Sequence, residues 1–210
     1  MGFSKIAAAV LAGGASRRMG SPKLLAPFAG GTLLERAANA ADGCAADVCA
    51  VVTGAYHREM APVLARARWE ADGPRRFVVR NRQWESGQAS SVRAAVRFAR
   101  AQGCTALLLM VADQPYVTAA HLNALIAEYD QGRSHAYLAS NDQAHGNPCL
   151  FDSALFDALG SLEGDEGARA LFRRDPKIRA RHVHFDEPHL FDDVDTPADL
   201  ARIEEAMARV

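Results

Sequence analysis

A glycine-rich segment with three cationic side chains directly follows the first apolar run of the chain. It spans residues 11–23 and contains Gly13, Gly14, Arg17, Arg18 and Lys23. Adjacent glycines let backbone N–H groups approach a phosphate closely, because no Cβ atom intervenes, and the cations supply charge suited to a triphosphate. The spacing matches neither the P-loop pattern GxxxxGK[ST] nor the dinucleotide pattern GxGxxG. An exposed, arginine-rich turn is the alternative interpretation of the same residues.

A single carboxylate ends the most apolar run of the chain. Asp113 follows ALLLMVA and stands two residues before Pro115. A carboxylate at the end of a buried strand is well placed to bind Mg²⁺. Capping of the following helix is the alternative role, but the helix signals begin only near Thr118, which is the better cap candidate. The metal role is therefore favoured for Asp113.

A second group of acids lies near the C-terminus, in the sequence DDVDTPADL. Thr196, Pro197 and Asp199 predict the start of a helix, with a threonine cap, a proline in the first turn and an acid near the positive end of the helix dipole. That account gives no role to the remaining acids, which are Asp192, Asp193 and Asp195. One of them could complete a Mg²⁺ site with Asp113.

Three further segments combine turn-forming and polar residues. Residues 81–92, NRQWESGQASSV, would suit recognition of a base edge or a sugar at a strand-to-helix junction. Ser90 and Ser91 could equally cap the next helix. Residues 145–148, HGNP, and 164–169, GDEGAR, are turn-forming by composition, so the residues alone assign them a structural role.

Short apolar runs alternate with longer amphipathic stretches along the chain. We predict strands at residues 6–11, 47–53, 76–80, 106–112, 135–139 and 181–185, and helices at 32–41, 58–68, 89–100, 119–129, 165–173 and 198–209. Two of the strands are continuously apolar, which indicates central parallel strands covered on both faces. The pattern predicts an α/β fold, a doubly wound, Rossmann-like three-layer sandwich with a mostly parallel sheet.

The predicted sheet also indicates where a ligand would bind. In open parallel sheets the ligand lies outside the carboxyl ends of the strands, so the segments after residues 11, 53, 80 and 112 should surround it. Residues 139–152 and 186–195 are interpreted as loops or edge elements. Because the chain shows no low-complexity linker, we expect a single domain over residues 1–210.

Composition excludes several classes of protein. The 24 basic and 25 acidic residues give a net charge of -1, which argues against a broad nucleic-acid-binding surface. The four cysteines form no CxxC pair, which is typical of reduced thiols in a cytosolic protein. The apolar run at residues 6–12 is too short for a membrane span. We therefore predict a cytoplasmic protein with neither a nucleic-acid nor a membrane partner.

Together these segments resemble the nucleotidyltransferases of the molybdenum cofactor over nearly the whole chain. LAGGASRRMGSPKLL resembles the signature loop of that superfamily. NRQWESGQASSV, ADQP, HGNPCLF, GDEGAR and DVDTPADL resemble the cytidylyltransferase branch. The resemblance implies a fold of the nucleotide-diphospho-sugar transferase type. It also implies that CMP passes from CTP to the terminal phosphate of a molybdenum–pterin cofactor, with Mg²⁺ bound and pyrophosphate released.

The same resemblance implies roles for individual residues. The nucleotide-binding residues would be Leu11, Ala12, Gly13, Gly14, Lys23, Gly87, Gln88 and Ser91. The catalytic residues would be Arg18, Lys23 and Asp113. The Mg²⁺ ligands would be Asp113 and Asp195, with Asp193 as the alternative to Asp195. The residues on the pterin side would be Asn147 and Asp165.

One motif departs from the cytidylyltransferase pattern. That branch usually carries Ala-Ala-Gly where this chain has Ala12-Gly13-Gly14, and Ala-Gly-Gly is typical of the guanylyltransferase branch. Guanylyltransferases in turn commonly show Cys-Asp in place of Ala112-Asp113 and lack a segment like GDEGAR. CTP is favoured by the larger number of matching segments, and GTP is the alternative.

Two other classes of function compete with nucleotidyl transfer. A non-catalytic carrier would bind the cofactor and hand it to an acceptor molybdoenzyme, a hypothesis motivated by the late loops together with Trp84 and Phe191. An NAD-dependent oxidoreductase on the same kind of sheet is disfavoured, because the GxGxxG pattern is missing.

Overall fold

A seven-stranded sheet covered by helices on both faces forms the centre of the molecule. The computed structural model describes residues 4–66 and 75–209. The strands are β1 (Ile6–Ala12), β2 (Pro27–Phe28), β3 (Gly31–Thr32), β4 (Val48–Thr53), β5 (Arg75–Arg80), β6 (Ala106–Val111), β7 (Ala136–Ser140), β8 (His145–Asp152) and β9 (Ala180–His184). The helices are α1 (Leu33–Asp42), α2 (His57–Arg66), α3 (Gln88–Ala101), α4 (Ala119–Glu128), α5 (Phe156–Gly160), α6 (Ala170–Arg174) and α7 (Pro197–Met207).

The order of the strands confirms the predicted fold class. The main sheet runs β5-β4-β1-β6-β8-β7-β9, and β2 pairs with β3 in a separate hairpin. β1 lies between β4 and β6 and is parallel to both. Every predicted strand coincides with an observed one to within one or two residues. Residues 67 and 68 of the predicted second helix lie outside the described residues.

The sheet is buried on both faces because its central strands carry small or aliphatic side chains throughout. In β6, Leu108 points into a core shared with α1, α4 and α7, whereas Leu107 and Leu109 point into a second core shared with α3, α5 and α6. All three leucines are at most 1% exposed. The two cores fix the sheet, so the loops at its carboxyl edge have a rigid support.

The interpretation of residues 139–152 as loops or edge elements is wrong. β8 lies inside the sheet, antiparallel to both β6 and β7. The glycine and proline of HGNP concealed this strand, because neither residue favours a strand interior. The structure accommodates them in an irregularity: Cys149 pairs with Leu138, but the next pair joins Gly146 to Ala139, so two residues of β8 are left over.

The predicted helix at residues 165–173 is also shorter than expected. Only α6 is helical there, and residues 163–169 form a loop whose backbone bonds to the start of α3 through Gly164. Gly164 has a positive φ of 56°, which interrupts regular structure. The amphipathic pattern of this segment is satisfied by a few residues packed against the second core.

The structure bears on two of the compositional predictions. Within the described residues, no helix combines the length and the apolar character that crossing a bilayer requires. The four cysteines are buried and free of disulfides. Burial raises the pKa of Cys49 and of Cys149 to about 12, so these thiols are protonated and unreactive near neutral pH.

Candidate functional site

A cavity of about 600 Å³ opens at the carboxyl ends of β1 and β6, and we call it the first pocket. The predicted site residues that line it are Leu11, Ala12, Gly13, Gly14, Arg18, Lys23, Gly87, Gln88, Ser91, Asp113, Asp165 and Asp195. The structure thus brings together every residue predicted for nucleotide and metal except Asp193. Among the predicted pterin-side residues, Asp165 lines this pocket and Asn147 does not.

Lys23 is the centre of the charged part of the first pocket. Its Nζ lies 2.7 Å from Oδ2 of Asp113, 3.2 Å from Oδ1 of Asp195 and 2.8 Å from the backbone oxygen of Val194. The side chain is 13% exposed. Burial by itself lowers the pKa of Lys23, but the two carboxylates offset this effect and leave the pKa above its ordinary value. Lys23 is therefore a fixed, permanently charged group.

Three segments of the chain position Lys23 and the groups that it contacts. Lys23 begins a short 3-10 turn directly after the glycine-rich loop, and its N–H donates to Oγ of Ser16 over 3.2 Å. Asp113 follows β6, and the N–H of Val194 donates to the backbone oxygen of Asp113 over 2.9 Å. Segments far apart in the sequence therefore meet at one ammonium group.

Two carboxylates at this point could hold a divalent cation. Asp113 and Asp195 both contact Lys23, and Arg18 pairs with Asp195 over 2.9 Å while most of its side chain stays exposed. Mg²⁺ is commonly bound by one or two carboxylates and completes its shell with water and substrate phosphate. Within residues 4–66 and 75–209, no set of three His, Cys, Asp or Glu side chains forms a complete cage. The donor set fits a metal that arrives with a nucleotide.

Asp193 occupies a different place from Asp195. The Gln114 side chain lies near Asp193, which is an exposed residue and does not line the first pocket. Partial desolvation, followed by the negative charges of Asp113 and Asp195, raises the pKa of Asp193 to about 6. The geometry therefore places Asp195 rather than Asp193 beside Lys23.

The glycine-rich loop packs tightly against two other segments. A Cβ atom on Gly13 would lie 2.6 Å from Oγ of Ser91, whereas one on Gly14 would meet no atom within 4 Å. A Cβ atom on Gly54 would lie 2.4 Å from the backbone oxygen of Gly13, so only glycine fits there. Gly54 was not among the predicted site residues, and the signal for it is its position directly after β4.

The start of α3 is held by a buried amide. Asn81 is 2% exposed, and its Nδ2 donates to Oγ of Ser90 over 2.7 Å and to Oγ of Ser91 over 3.1 Å. Neither serine caps the helix, because Gly87 is the residue before its first turn and Ser90 donates back to the Gly87 oxygen. Asn81 thus fixes the Ser91 hydroxyl in the pocket wall, a role that the sequence did not single out.

The loop at residues 163–167 closes over this same helix start. The N–H of Ala89 donates to the backbone oxygen of Gly164 over 3.0 Å, and Gly87 has a φ of 98°. A Cβ atom on Gly87 would lie 2.2 Å from that oxygen. This close approach explains why Asp165, on the same loop, lines the first pocket instead of lying with Asn147.

Asn147 lines a separate cavity of about 400 Å³, the second pocket. Leu11 and Gln88 line both cavities, so the two are adjacent. The other residues of the second pocket are Val92, Leu109, His145, Asn147, Gly167, Ala168, Arg169, Ala170, Phe172 and Arg173. The predicted pterin-side pair is thus divided between neighbouring cavities.

The two aromatic residues that motivated the carrier hypothesis are both partly buried. Trp84 is half-buried and lines the first pocket, and Phe191 packs against the core. These positions weaken the part of the carrier hypothesis that rested on the two aromatic residues. Trp84 and its neighbour Glu85 are instead further lining residues of the first pocket that the sequence had not identified.

The sequence of this chain is similar to several characterised proteins along nearly its full length. Purine catabolism protein PucB of Bacillus subtilis is 31% identical, with 94% of this chain and 95% of the relative covered. Nicotine blue oxidoreductase of Paenarthrobacter nicotinovorans is 34% identical, with 92% and 94% covered. Molybdenum cofactor guanylyltransferase of Acidiphilium cryptum is 30% identical, with 94% and 93% covered.

Solved structures share the same architecture. A nucleotidyl transferase from Methanothermobacter thermautotroptrophicus superposes with a TM-score of 0.79 at 26% identity, over 98% of both chains. A complex of Rv0371C from Mycobacterium tuberculosis with manganese superposes with a TM-score of 0.73 at 27% identity, over 97% of this chain and all of the other. The model of the MobA-like NTP transferase domain matches residues 8–182. The resemblance seen in the sequence is therefore confirmed, and the chain belongs to the family of MobA-like NTP transferase domains, a family of nucleotidyltransferases.

Proposed function

We propose that this protein transfers CMP from CTP to the terminal phosphate of a molybdenum–pterin cofactor and releases pyrophosphate. The observation that carries the proposal is the meeting of Lys23 with Asp113 and Asp195 at the edge of a glycine-lined pocket. A relative named molybdenum cofactor guanylyltransferase supports a molybdenum–pterin as the acceptor.

The proposed reaction exchanges one bond at the α-phosphorus for another. An oxygen of the acceptor phosphate attacks the α-phosphorus, the new O–P bond forms, and the bond from the α-phosphorus to the bridging oxygen of pyrophosphate breaks. The attacking oxygen is already anionic, so no general base has to remove a proton. Catalysis then depends on positioning and on neutralisation of charge.

The chain offers residues for each of these tasks. Lys23 and Arg18 would neutralise the triphosphate, and the backbone of Gly13 and Gly14 would let it approach closely. Asp113 and Asp195 would hold Mg²⁺, which when bound adds positive charge at the phosphates. The manganese complex of a structural relative supports a divalent cation as part of the proposal.

A variant of Gly13 tests which nucleotide base the protein selects. We expect Gly13→Ala, which creates the Ala-Ala-Gly form of the loop, to shift binding toward CTP, because its Cβ would displace the Ser91 hydroxyl in the pocket wall. CTP, GTP and ATP are titrated with Mg²⁺ against the wild type and this variant. Gly160→Ala is the matched control, since its Cβ would meet no neighbour and Gly160 lines neither pocket.

The pyrophosphate assay separates the proposal from its alternatives. Protein, Mg²⁺ and molybdenum–pterin are mixed with each nucleoside triphosphate in turn. Release with CTP supports the proposal, and release with GTP alone makes the protein a guanylyltransferase. Cofactor binding without any release favours a carrier. The relative named as an oxidoreductase makes NADH a necessary additional arm, because NADH binding without use of CTP or GTP would contradict nucleotidyl transfer.

A further inference from the structure

The second pocket differs from the first in the sign of its charge. Arg169 and Arg173 line the second pocket, and among the described residues no carboxylate does. The first pocket contains both signs, with Glu85, Asp113, Asp165 and Asp195 facing the cations of the loop. The second pocket is therefore the one that would attract an anion without a metal ion.

The two guanidinium groups come from one short segment. Arg169 directly precedes α6 and has helical backbone angles, and Arg173 lies four residues later, so both side chains project from the same side. Like charges at this spacing repel each other, and an anion between them would remove the repulsion. Among the described residues, the Arg173 side chain makes no hydrogen bond or ion pair, and its charge contributes to lowering the pKa of Glu166.

The backbone positions Arg169 at the wall of this pocket. Its Nη1 donates to the backbone oxygen of His145 over 2.6 Å. The same nitrogen lies close to Gly146, since a Cβ atom added there would be 3.4 Å away. The hydrogen bond to His145 uses one of five guanidinium N–H donors, so others are available to a ligand. Asn147 stands on the irregular part of β8 beside it and adds an amide to the same wall.

Apolar side chains also line the second pocket, and two lining residues are shared with the first. Leu109, Val92 and Phe172 supply aliphatic and aromatic surface in the same cavity as the polar groups. Gln88 lines both pockets and touches the loop of Arg169, because a Cβ atom on Gly167 would lie 3.3 Å from its Oε1. A molecule in the second pocket would therefore lie directly beside a nucleotide in the first.

From these contacts we infer that the second pocket binds the acceptor of the nucleotidyl group. Arg169 and Arg173 would select a phosphate monoester by hydrogen-bonding to its phosphate. The inference rests on the proposed function for the reaction that follows, in which this same phosphate attacks the nucleotide. Arginine suits this task because its planar fork can donate two hydrogen bonds to one phosphate.

The test uses phenyl phosphate as the probe, with the first pocket filled by the α,β-methylene analogue of whichever nucleotide the protein binds. Titration calorimetry compares the wild type with Arg169→Met and Arg173→Met. Arg97→Met is the matched control, since Arg97 is an exposed arginine of α3 that lines neither pocket. We expect each pocket variant to weaken phenyl phosphate binding about tenfold or more, because a charge-assisted hydrogen bond is lost. Arg97→Met should bind as the wild type does, and phenol should bind far more weakly than phenyl phosphate.

Equal affinity of phenyl phosphate for all four proteins would overturn the inference, as would equal binding of phenol and phenyl phosphate. Affinity for the nucleotide analogue is measured in parallel and should be unchanged in both pocket variants, which separates loss of this pocket from unfolding. If the arginine dependence holds but no nucleotide is ever consumed, the acceptor pocket stands and the proposed reaction fails. If nucleotide is consumed at the same rate with and without the two arginines, the proposed reaction stands and the inference about the second pocket fails.

Discussion

At the scale of single residues, the protein concentrates opposite charges at one point. Lys23 is nearly buried between two carboxylates and a backbone oxygen, so it is held in place before any substrate arrives. An ammonium fixed in this way needs no reorganisation when charge moves to a leaving pyrophosphate. Such preorganised groups contribute about 3–4 kcal/mol to lowering a barrier.

Removal of this charge should therefore stop catalysis. We expect Lys23→Ala to lower kcat/KM for pyrophosphate release by about 10²–10³-fold. The circular dichroism spectrum should stay that of the wild type, because the sheet does not depend on this side chain. Lys177→Ala is the control, since Lys177 is exposed and lines neither pocket. Wild-type rates in Lys23→Ala would remove this residue from the proposed mechanism.

At the scale of elements, helix ends place the acids of the site. Thr196 caps α7: its Oγ1 accepts from the N–H of Asp199, and its own N–H donates to the Asp199 carboxylate, which fixes the chain directly after Asp195. Thr32 caps α1 in a similar way through Glu35, away from the carboxylates. In both caps a threonine side chain accepts from the N–H three residues later, and the two caps differ in what they support.

This pair of caps yields a comparison of stability with activity. We expect Thr196→Ala and Thr32→Ala each to lower the free energy of unfolding by about 1 kcal/mol, measured by urea denaturation. Only Thr196→Ala should also lower kcat/KM, because it loosens the segment that carries Asp195. If both variants lose the same activity, the cap of α7 contributes stability alone.

The contact between the start of α3 and the loop at 163–167 can be tested in the same manner. Gly87→Ala should cost about 1–3 kcal/mol more than Gly132→Ala, because both have a positive φ but only Gly87 faces a backbone oxygen at 2.2 Å from its new Cβ. The measurement is the free energy of unfolding of each variant. Equal losses would mean that the loop yields without cost.

At the scale of the whole molecule, the net charge of -1 does not show that charged side chains are concentrated in two neighbouring pockets. Cations and acids meet in the first pocket, whereas the charged residues that line the second are the cations Arg169 and Arg173. The alternation of apolar runs with helices was sufficient to predict the sheet and the edge at which these pockets open, because buried parallel strands leave a continuous pattern. β8 escaped prediction because His145, Gly146 and Pro148 are poor strand formers that an irregular register accommodates.

The residues of the candidate site were predictable where the signal lies in a short stretch of sequence, as it does for the buried strands. Gly13, Lys23 and Asp113 belong to short motifs whose chemistry is local, so their types and positions indicated a site. Asn81 and Gly54 act through contacts with distant segments, and a sequence of one chain does not report such contacts.

One measurement tests the central claim most directly: transfer of label from α-³²P-CTP, and in parallel α-³²P-GTP, to a molybdenum–pterin acceptor in the presence of Mg²⁺. We expect the wild type to transfer label from CTP in step with pyrophosphate release. Asp113→Asn should lower the rate by about 10²–10³-fold while keeping the fold. Absence of labelled product from either nucleotide, or undiminished transfer by Asp113→Asn, would contradict the account.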